Sequence, residues 1–288
     1  MSVKYAFIRG EEGNYSVRNM SRAGYYEWRD RPASAWAVWR RQLGDLVEVV
    51  FADSDGTYGY RRIHAALRRL GRWCDPQTVR SIMAERGLVA CQPRPKGPVT
   101  TVSSDAGTIP DLLRRDFTAP EPGLKLVGDI TYLATWQGWV YLATVLDCYS
   151  KKVVGWAMAD HLRTSLVTDA LGMAVKNGHV RAGVTIFHSD RGTQYTSSEF
   201  AEFTARVGIT RSVGRTGICY DNAWAESFNA TLKVERVHRT VYPTREHAIK
   251  DVARYIELRY NQKRLHSALE YRTPNEVEQA WYDNRAAA

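Results

Sequence analysis

The chain has 288 residues, 44% hydrophobic and 25% charged, the composition of a globular protein with a true core and room for two domains. Lys and Arg number 40 against 31 Asp and Glu; residues 1–122 carry 19 basic and 14 acidic side chains, and residues 123–288 carry 21 and 17. A basic excess spread over both halves suits a protein that lies along a polyanion, most often nucleic acid, while the lack of about 18 consecutive apolar residues or a signal-like start excludes a membrane span and points to the cytoplasm.

The first periodic stretch is "YGYRRIHAALRRL" (58–70), where Ile63, Leu67 and Leu70 recur at three- and four-residue steps between arginines, as on an amphipathic helix. "GRWC" interrupts it. Asp75 then supplies an N-cap and Pro76 a first-turn proline for a second helix, 76–86. That helix buries Val79, Ile82 and Met83 and turns Gln77, Thr78, Arg80 and Ser81 outward. Two short helices about a tight turn, the second lined with hydrogen-bonding side chains, have the pattern of a helix-turn-helix DNA-binding region over about 58–87; an ordinary helical hairpin with a solvated arginine face is the plainer alternative. Residues 91–122 hold six of the ten prolines and read as a linker. The division is therefore a helical DNA-binding region, 1–90, a linker, 91–122, and a second domain, 123–284.

Beyond the linker the pattern turns to strands. "LKLVGDITYLAT" (124–135), "WVYLATVLD" (139–147) and "KVVGWAMAD" (152–160) are β-branched and aromatic runs between short turns. A helix at 164–177, a strand at 184–188, a helix capped at Ser197, a fifth strand in "GITRSV" (208–213) and helices from 221 onward complete a mixed α/β sheet flanked by helices. The four cysteines, Cys74, Cys91, Cys148 and Cys219, form no close pair. They read as reduced thiols and not as a zinc module.

Three acids sit where carboxylates are costly or unexplained. Asp129 lies inside the first strand of this domain, where an unpaired charge costs several kcal/mol. Asp190 ends the strand of "TIFHSDRG", and a turn residue is its plain reading. Glu226 lies in "CYDNAWAESFNATLKVER"; winding 221–235 as a helix puts Trp224, Phe228 and Leu232 on an apolar stripe, with Glu226, Asn222, Asn229 and Lys233 grouped on a polar one. Asp147 reads as a turn residue and Asp221 as a helix cap. Oxygen ligands without a Cys or His cluster select magnesium or manganese, and two such ions are the usual device for in-line displacement at a phosphate.

"GDITYL", "HSDRGTQY" and "GICYDNAWAESFNATLK" together resemble the D-D-E core of the retroviral-integrase superfamily, and within it the second-reading-frame transposases of the IS-three family of bacterial insertion sequences. Thirty-five residues separate Asp190 from Glu226, an interval typical of that family, and Lys233 matches its basic residue two helical turns after the glutamate. "YNQKRLHSALEYRTP" is similar to the family's C-terminal signature, with Leu265 in place of an expected proline and Glu270 in place of an expected glycine. "TYGYRRIHAALRR" is similar to its N-terminal DNA-binding region.

The resemblance implies a ribonuclease-H-like catalytic core and a DNA transposase. Its catalytic and metal-binding residues are Asp129, Asp190 and Glu226, with two Mg2+ or Mn2+ ions, Asp129 bridging both. It implies hydrolysis at an element end to free a 3′-hydroxyl, which then attacks a second phosphodiester. Lys233, Arg191, Gln194 and Asn222 are expected to hold phosphates or bases, with Lys263, Arg264 and His266 as further phosphate contacts and His188 supporting Asp190 or simply packing. The implied partners are double-stranded DNA, a second copy in a dimer or larger synaptic complex, and an upstream-frame protein, separate or fused by frameshifting. A nuclease without strand transfer and a DNA-binding remnant without catalysis are the competing readings.

Overall fold

The computed structural model describes residues 22–92, 109–214 and 219–287. Helices α1 (Arg22–Asp30) and α2 (Ala35–Asp53) open the chain, α2 being capped by Ser34, whose hydroxyl accepts from the Ala37 amide. Helices α3 (Tyr60–Arg69) and α4 (Pro76–Glu85) follow. Asp75 accepts from the Gln77 amide at 2.7 Å and Pro76 takes the first turn, as their positions in the sequence dictate. Val47, Ile63, Leu67, Val79 and Ile82 close a small core among α2, α3 and α4. Leu70 does not join it and is 58% exposed. It is the C-cap of α3, beyond the last helical residue, so the helical phase that placed it on the apolar stripe no longer applies.

The second domain is built on one five-stranded sheet. Strands β1 (Lys125–Thr135), β2 (Gly138–Asp147) and β3 (Val153–Ala159) form an antiparallel meander. Strands β4 (Ile186–Ser189) and β5 (Thr210–Val213) add in parallel on the other side, giving the order β3-β2-β1-β4-β5. Parallel strands need crossovers. These are α5 (Thr164–Lys176) and, after the single turn α6 (Thr193–Thr196), α7 (Ser198–Arg206), capped by Ser197 onto the Phe200 amide. Leu126, Phe187, Leu166, Leu171 and Phe200 make the core on that face. On the opposite face α8 (Ala223–Glu235) and α9 (Arg245–Arg254) bury Phe228, Leu232, Ala248 and Val252 against Val127, Leu133 and Leu142. Gly128 is required where it stands: a Cβ there would come within 2.3 Å of the Phe187 ring, so only hydrogen lets β1 and β4 lie this close.

Two stretches behave differently from their sequence reading. Part of the proline-rich segment lies against the core, because Leu113 is buried, the Leu112 amide donates to Ser212 Oγ and the Val213 amide donates to the Pro110 carbonyl. The second is the C-terminal signature. After α9 the helix continues as a π-helical stretch, Tyr255–Tyr260, and the chain then reaches α10 (Pro274–Ala286), which opens with a capping box between Thr273 and Glu276.

Arg264 and His266 lie between these elements, 5% and 7% exposed, and this burial overturns their reading as phosphate contacts. Arg264 Nη2 donates to Glu235 Oε1 at 2.7 Å, at the end of α8, where the Tyr255 hydroxyl also donates at 2.8 Å. Burial, with Arg264 and Arg62 nearby, pushes His266 down to about 2, so the imidazole stays neutral and offers a phosphate no charge. The helical half docks here too. The Tyr58 hydroxyl donates to the Lys263 carbonyl and accepts from the Leu265 amide, and Arg62 lies 3.7 Å from Glu235. Leu265 thus supplies an amide that a proline would lack, while Glu270 adopts a left-handed φ of 55°, where glycine costs least.

Removing one partner of this buried pair leaves the other charged and unsatisfied. Glu235→Ala is therefore expected to lower stability by about 3–5 kcal/mol, read as a shift in the urea unfolding midpoint; an unchanged midpoint contradicts the assignment.

Candidate active site

Asp129 occupies the fifth position of the central strand, opposite Thr144 of β2. Its side chain points to the face covered by α8. Two donors hold it: the Ile130 amide at 2.9 Å to Oδ1 and the Asn229 side-chain amide at 2.8 Å to Oδ2. Asp190 follows β4 directly, and its Oδ1 accepts from the Gly192 amide at 3.0 Å, the turn geometry its position suggests. Glu226 stands in the first turn of α8, exposed, one turn before Asn229. A strand, a strand end and a helix thus carry the three acids, the first two just beyond where the β1–β4 pairing ends.

The electrostatics show how near these groups lie. Enclosure, then the negative charge of Asp190, pushes the Asp129 carboxyl up to about 7; Glu226 adds to the rise, while the Ile130 and Asn229 donors oppose it. Asp190 is also raised. Solvent reaches it, but the protein crowded around it dominates, and the Gly192 amide pulls the other way. Buried Tyr195, beside Phe187 and Phe200, has its hydroxyl held neutral by burial and by both aspartates. Asp129, Asp190, Tyr132, Gln194 and Tyr195 line one cleft of about 180 Å³.

Among the described residues, no three His, Cys, Asp or Glu side chains are gathered closely enough to form a ready metal cage. The donor chemistry nevertheless fits a hard divalent cation. Asp129 and Asp190 share a cleft, and Glu226 acts on Asp129 from the adjoining helix. Carboxylates gathered at one place hold one another's charge at a cost, and a bound divalent cation relieves that repulsion.

The other candidates divide. Lys233 lies two turns beyond Glu226 on α8, its Nζ 4.8 Å from the centre of the Tyr132 ring. Gln194 lines the cleft and donates to the Leu162 carbonyl; Arg191 donates from Nε to the Gly214 carbonyl. Gln77 and Arg80 are exposed on α4 and Thr78 is half-buried. Lys263 is exposed, 3.7 Å from Asp53.

Asn222 is buried, its Nδ2 donating to the Gly128 carbonyl at 3.1 Å. It joins α8 to β1 and is not placed to meet a base. His188 is fully buried between Ser212 Oγ and the Asp221 carbonyl, each at 2.8 Å, so its hydrogen bonds secure β5 and the entry to α8 and not Asp190. Asp221 is no helix cap: its side chain takes the Arg115 Nε at 2.8 Å, and Asn222 is the capping position. Asp147 is a buried turn residue as expected, accepting from the Gly123 and Ser150 amides. Asn229 was missed as a functional position. Its signal was its place on the polar stripe of α8, three residues after Glu226.

The raised Asp129 carboxyl has a measurable consequence. Its usual value is 3.8, so the folded protein binds this proton more tightly than the unfolded chain does. Without divalent cations, stability is then greatest near and below about pH 4, falls as the pH rises to about 7, and levels off above. Thermal unfolding in chelator from about pH 5 to 8 should show this fall in the wild type, and Asp129→Asn should flatten it; equal slopes contradict the assignment.

Comparison with known proteins agrees with this architecture. Two models described as integrase core domain match residues 119–219 and 207–274, and one described as HTH-like domain matches residues 39–96. The chain is 36% identical over 273 residues to the transposase InsF for insertion sequence IS3A of Escherichia coli (strain K12), covering 92% of this chain and 94% of that one. It is 36% identical over 248 residues to the transposase for insertion sequence element IS904 of Lactococcus lactis, covering 86% and 98%. Among solved structures, the HTLV-2 integrase catalytic core domain in complex with magnesium aligns with a TM-score of 0.42 at 17% identity, over 55% of this chain and 98% of that one. An integrase-type sheet preceded by an HTH-like region, in a chain that parallels these relatives over nearly its full length, places the protein in the IS3 family of insertion-sequence transposases.

Proposed function

We propose that this transposase cleaves the ends of its element and joins them to target DNA, with Asp129, Asp190 and Glu226 as the catalytic carboxylates. The observation that carries the reading is Asp129: a carboxyl on a central strand, raised to about 7 by enclosure and by two acids remote in sequence. Buried acids elsewhere have evident structural duties: Asp221 and Glu235 pair with Arg115 and Arg264, and Asp147 closes a turn on the Gly123 and Ser150 amides.

Asp129, Asp190 and Glu226 would together hold Mg2+ or Mn2+, two ions per site. When bound, the ions supply activation of the attacking oxygen and charge stabilisation at the leaving one. The rest is done by the chain. Asn229 and the Ile130 amide fix the Asp129 rotamer, each carboxylate oxygen accepting one hydrogen bond while the group lines the cleft. Lys233 would exchange the Tyr132 ring for a DNA phosphate, and Gln194 and Arg191 would hold further phosphates or bases. The attacking groups are water and then the freed 3′-hydroxyl, so no covalent protein–DNA link is required. Gln77, Thr78 and Arg80 on α4 would contact the element end. Work on paired ends calls for a dimer or larger synaptic complex, and an upstream-frame protein, separate or fused, is a further partner. Among the described residues no helix is long and apolar enough to cross a membrane.

The test is a strand-transfer assay with the full chain, Mg2+ or Mn2+, and labelled duplexes carrying the inverted repeats that flank this reading frame. Joined products are expected. Asp129→Asn, Asp190→Asn and Glu226→Gln should each reduce joining by on the order of 10⁴-fold, with duplex binding retained. Cleavage without joining would replace the reading with a nuclease, and binding alone with a DNA-binding remnant.

A further inference from the structure

The turn between α2 and α3 carries Asp53 and Asp55, and it is pressed against a set of cations from the other half of the chain. Lys263 Nζ lies 3.7 Å from Asp53 Oδ1, and Arg239 Nη1 lies 3.5 Å from Asp55 Oδ2. Arg259 Nη1 donates to the Asp53 carbonyl at 2.8 Å, while its Nη2 is buried without a hydrogen-bond partner. Asp55, Arg254, Arg259 and Lys263 line a cleft of about 270 Å³ between the helical region and the core, with Asp53, paired to Lys263, and Arg239, paired to Asp55, at its border. The π-helical stretch Tyr255–Tyr260 explains the alignment: its wider turn brings positions 254, 259 and 263 to one side.

The remaining charges of the cleft are already matched. Arg236 makes a two-point pair with Asp251 and only a 3.6 Å approach to Asp55, and Glu235 is taken by Arg264. Arg254 and Arg259 line the cleft, Lys263 faces Asp53, and Arg239, which also donates to the Glu235 carbonyl at 3.1 Å, approaches Asp55. Those aspartates are 70% and 59% exposed, and their ion pairs are long, so each contributes little to stability. The docking of the two halves does not need them, because Tyr58, Leu265 and the Arg69–Glu276 pair provide it.

We propose that this cleft is a second DNA-backbone site, distinct from the catalytic cleft and from the exposed face of α4, and that Asp53 and Asp55 occupy it as phosphate surrogates until duplex DNA displaces them. The inference rests on the reading that the protein works on DNA, and deepens it by placing phosphates across the junction of the two halves.

The test is binding of the full chain to a labelled 30-base-pair duplex of random sequence, followed by fluorescence anisotropy across a KCl series without divalent cations. Lys263→Gln with Arg239→Gln should weaken binding at least about tenfold and make the slope of log K against log salt shallower by about 2, since each phosphate contact contributes about 0.9. Asp53→Asn with Asp55→Asn should tighten binding about three- to tenfold. Arg254→Gln, a single exposed change, gives a slope shallower by about 1 should the double variant fail to fold. Wild-type slopes in the folded cation variants, or weaker binding by the aspartate variant, overturn the proposal while leaving the transposase reading intact. Failure of the wild type to bind duplex at all overturns both.

Discussion

A carboxylate in the middle of a central strand, raised by enclosure and by the charge of two acids remote in sequence, is the constraint on which this molecule depends. In the protein alone Asp129 is held at a cost: enclosure and the charge of Asp190 favour its protonated form, and only two amide donors oppose them. Folding tolerates this because the surrounding hydrophobic structure is extensive. Phe187 lies over Gly128 on one face, and Phe228 and Leu232 of α8 pack on the other. The same crowding that disfavours the charged carboxyl in the free protein is what a bound divalent cation would relieve.

Helix α8 ties that arrangement to the rest of the chain. Its first turn carries Glu226, its middle carries Asn229 and Lys233, and its last residue, Glu235, is buried against Arg264 with Arg62 of the helical region close by. One rigid element therefore spans from the candidate catalytic cleft to the dock of the DNA-binding region.

The elements that read correctly from sequence are those specified locally. Alternating β-branched residues mark β1 to β3, Asp75-Pro76 and Ser197 mark helix starts, and the stripe of Phe228 and Leu232 orients α8. The readings that failed concern polar side chains whose partners are distant in the chain. Arg264 looks like a surface cation until Glu235, 29 residues earlier, is folded against it. Asn222 looks like a base contact until the Gly128 carbonyl, 94 residues away, takes its amide. Leu70 fails for a local reason, lying one residue past the end of its helix.

What the sequence determined by itself was the order of the elements, the family motif and the oddity of Asp129, since each follows from residue type and spacing within a few turns or strands. What only the tertiary structure decided was which charges stay in water. Whether an arginine or a histidine is a DNA contact or an internal brace depends on desolvation and on partners brought in by the fold, and neither is encoded at the position itself.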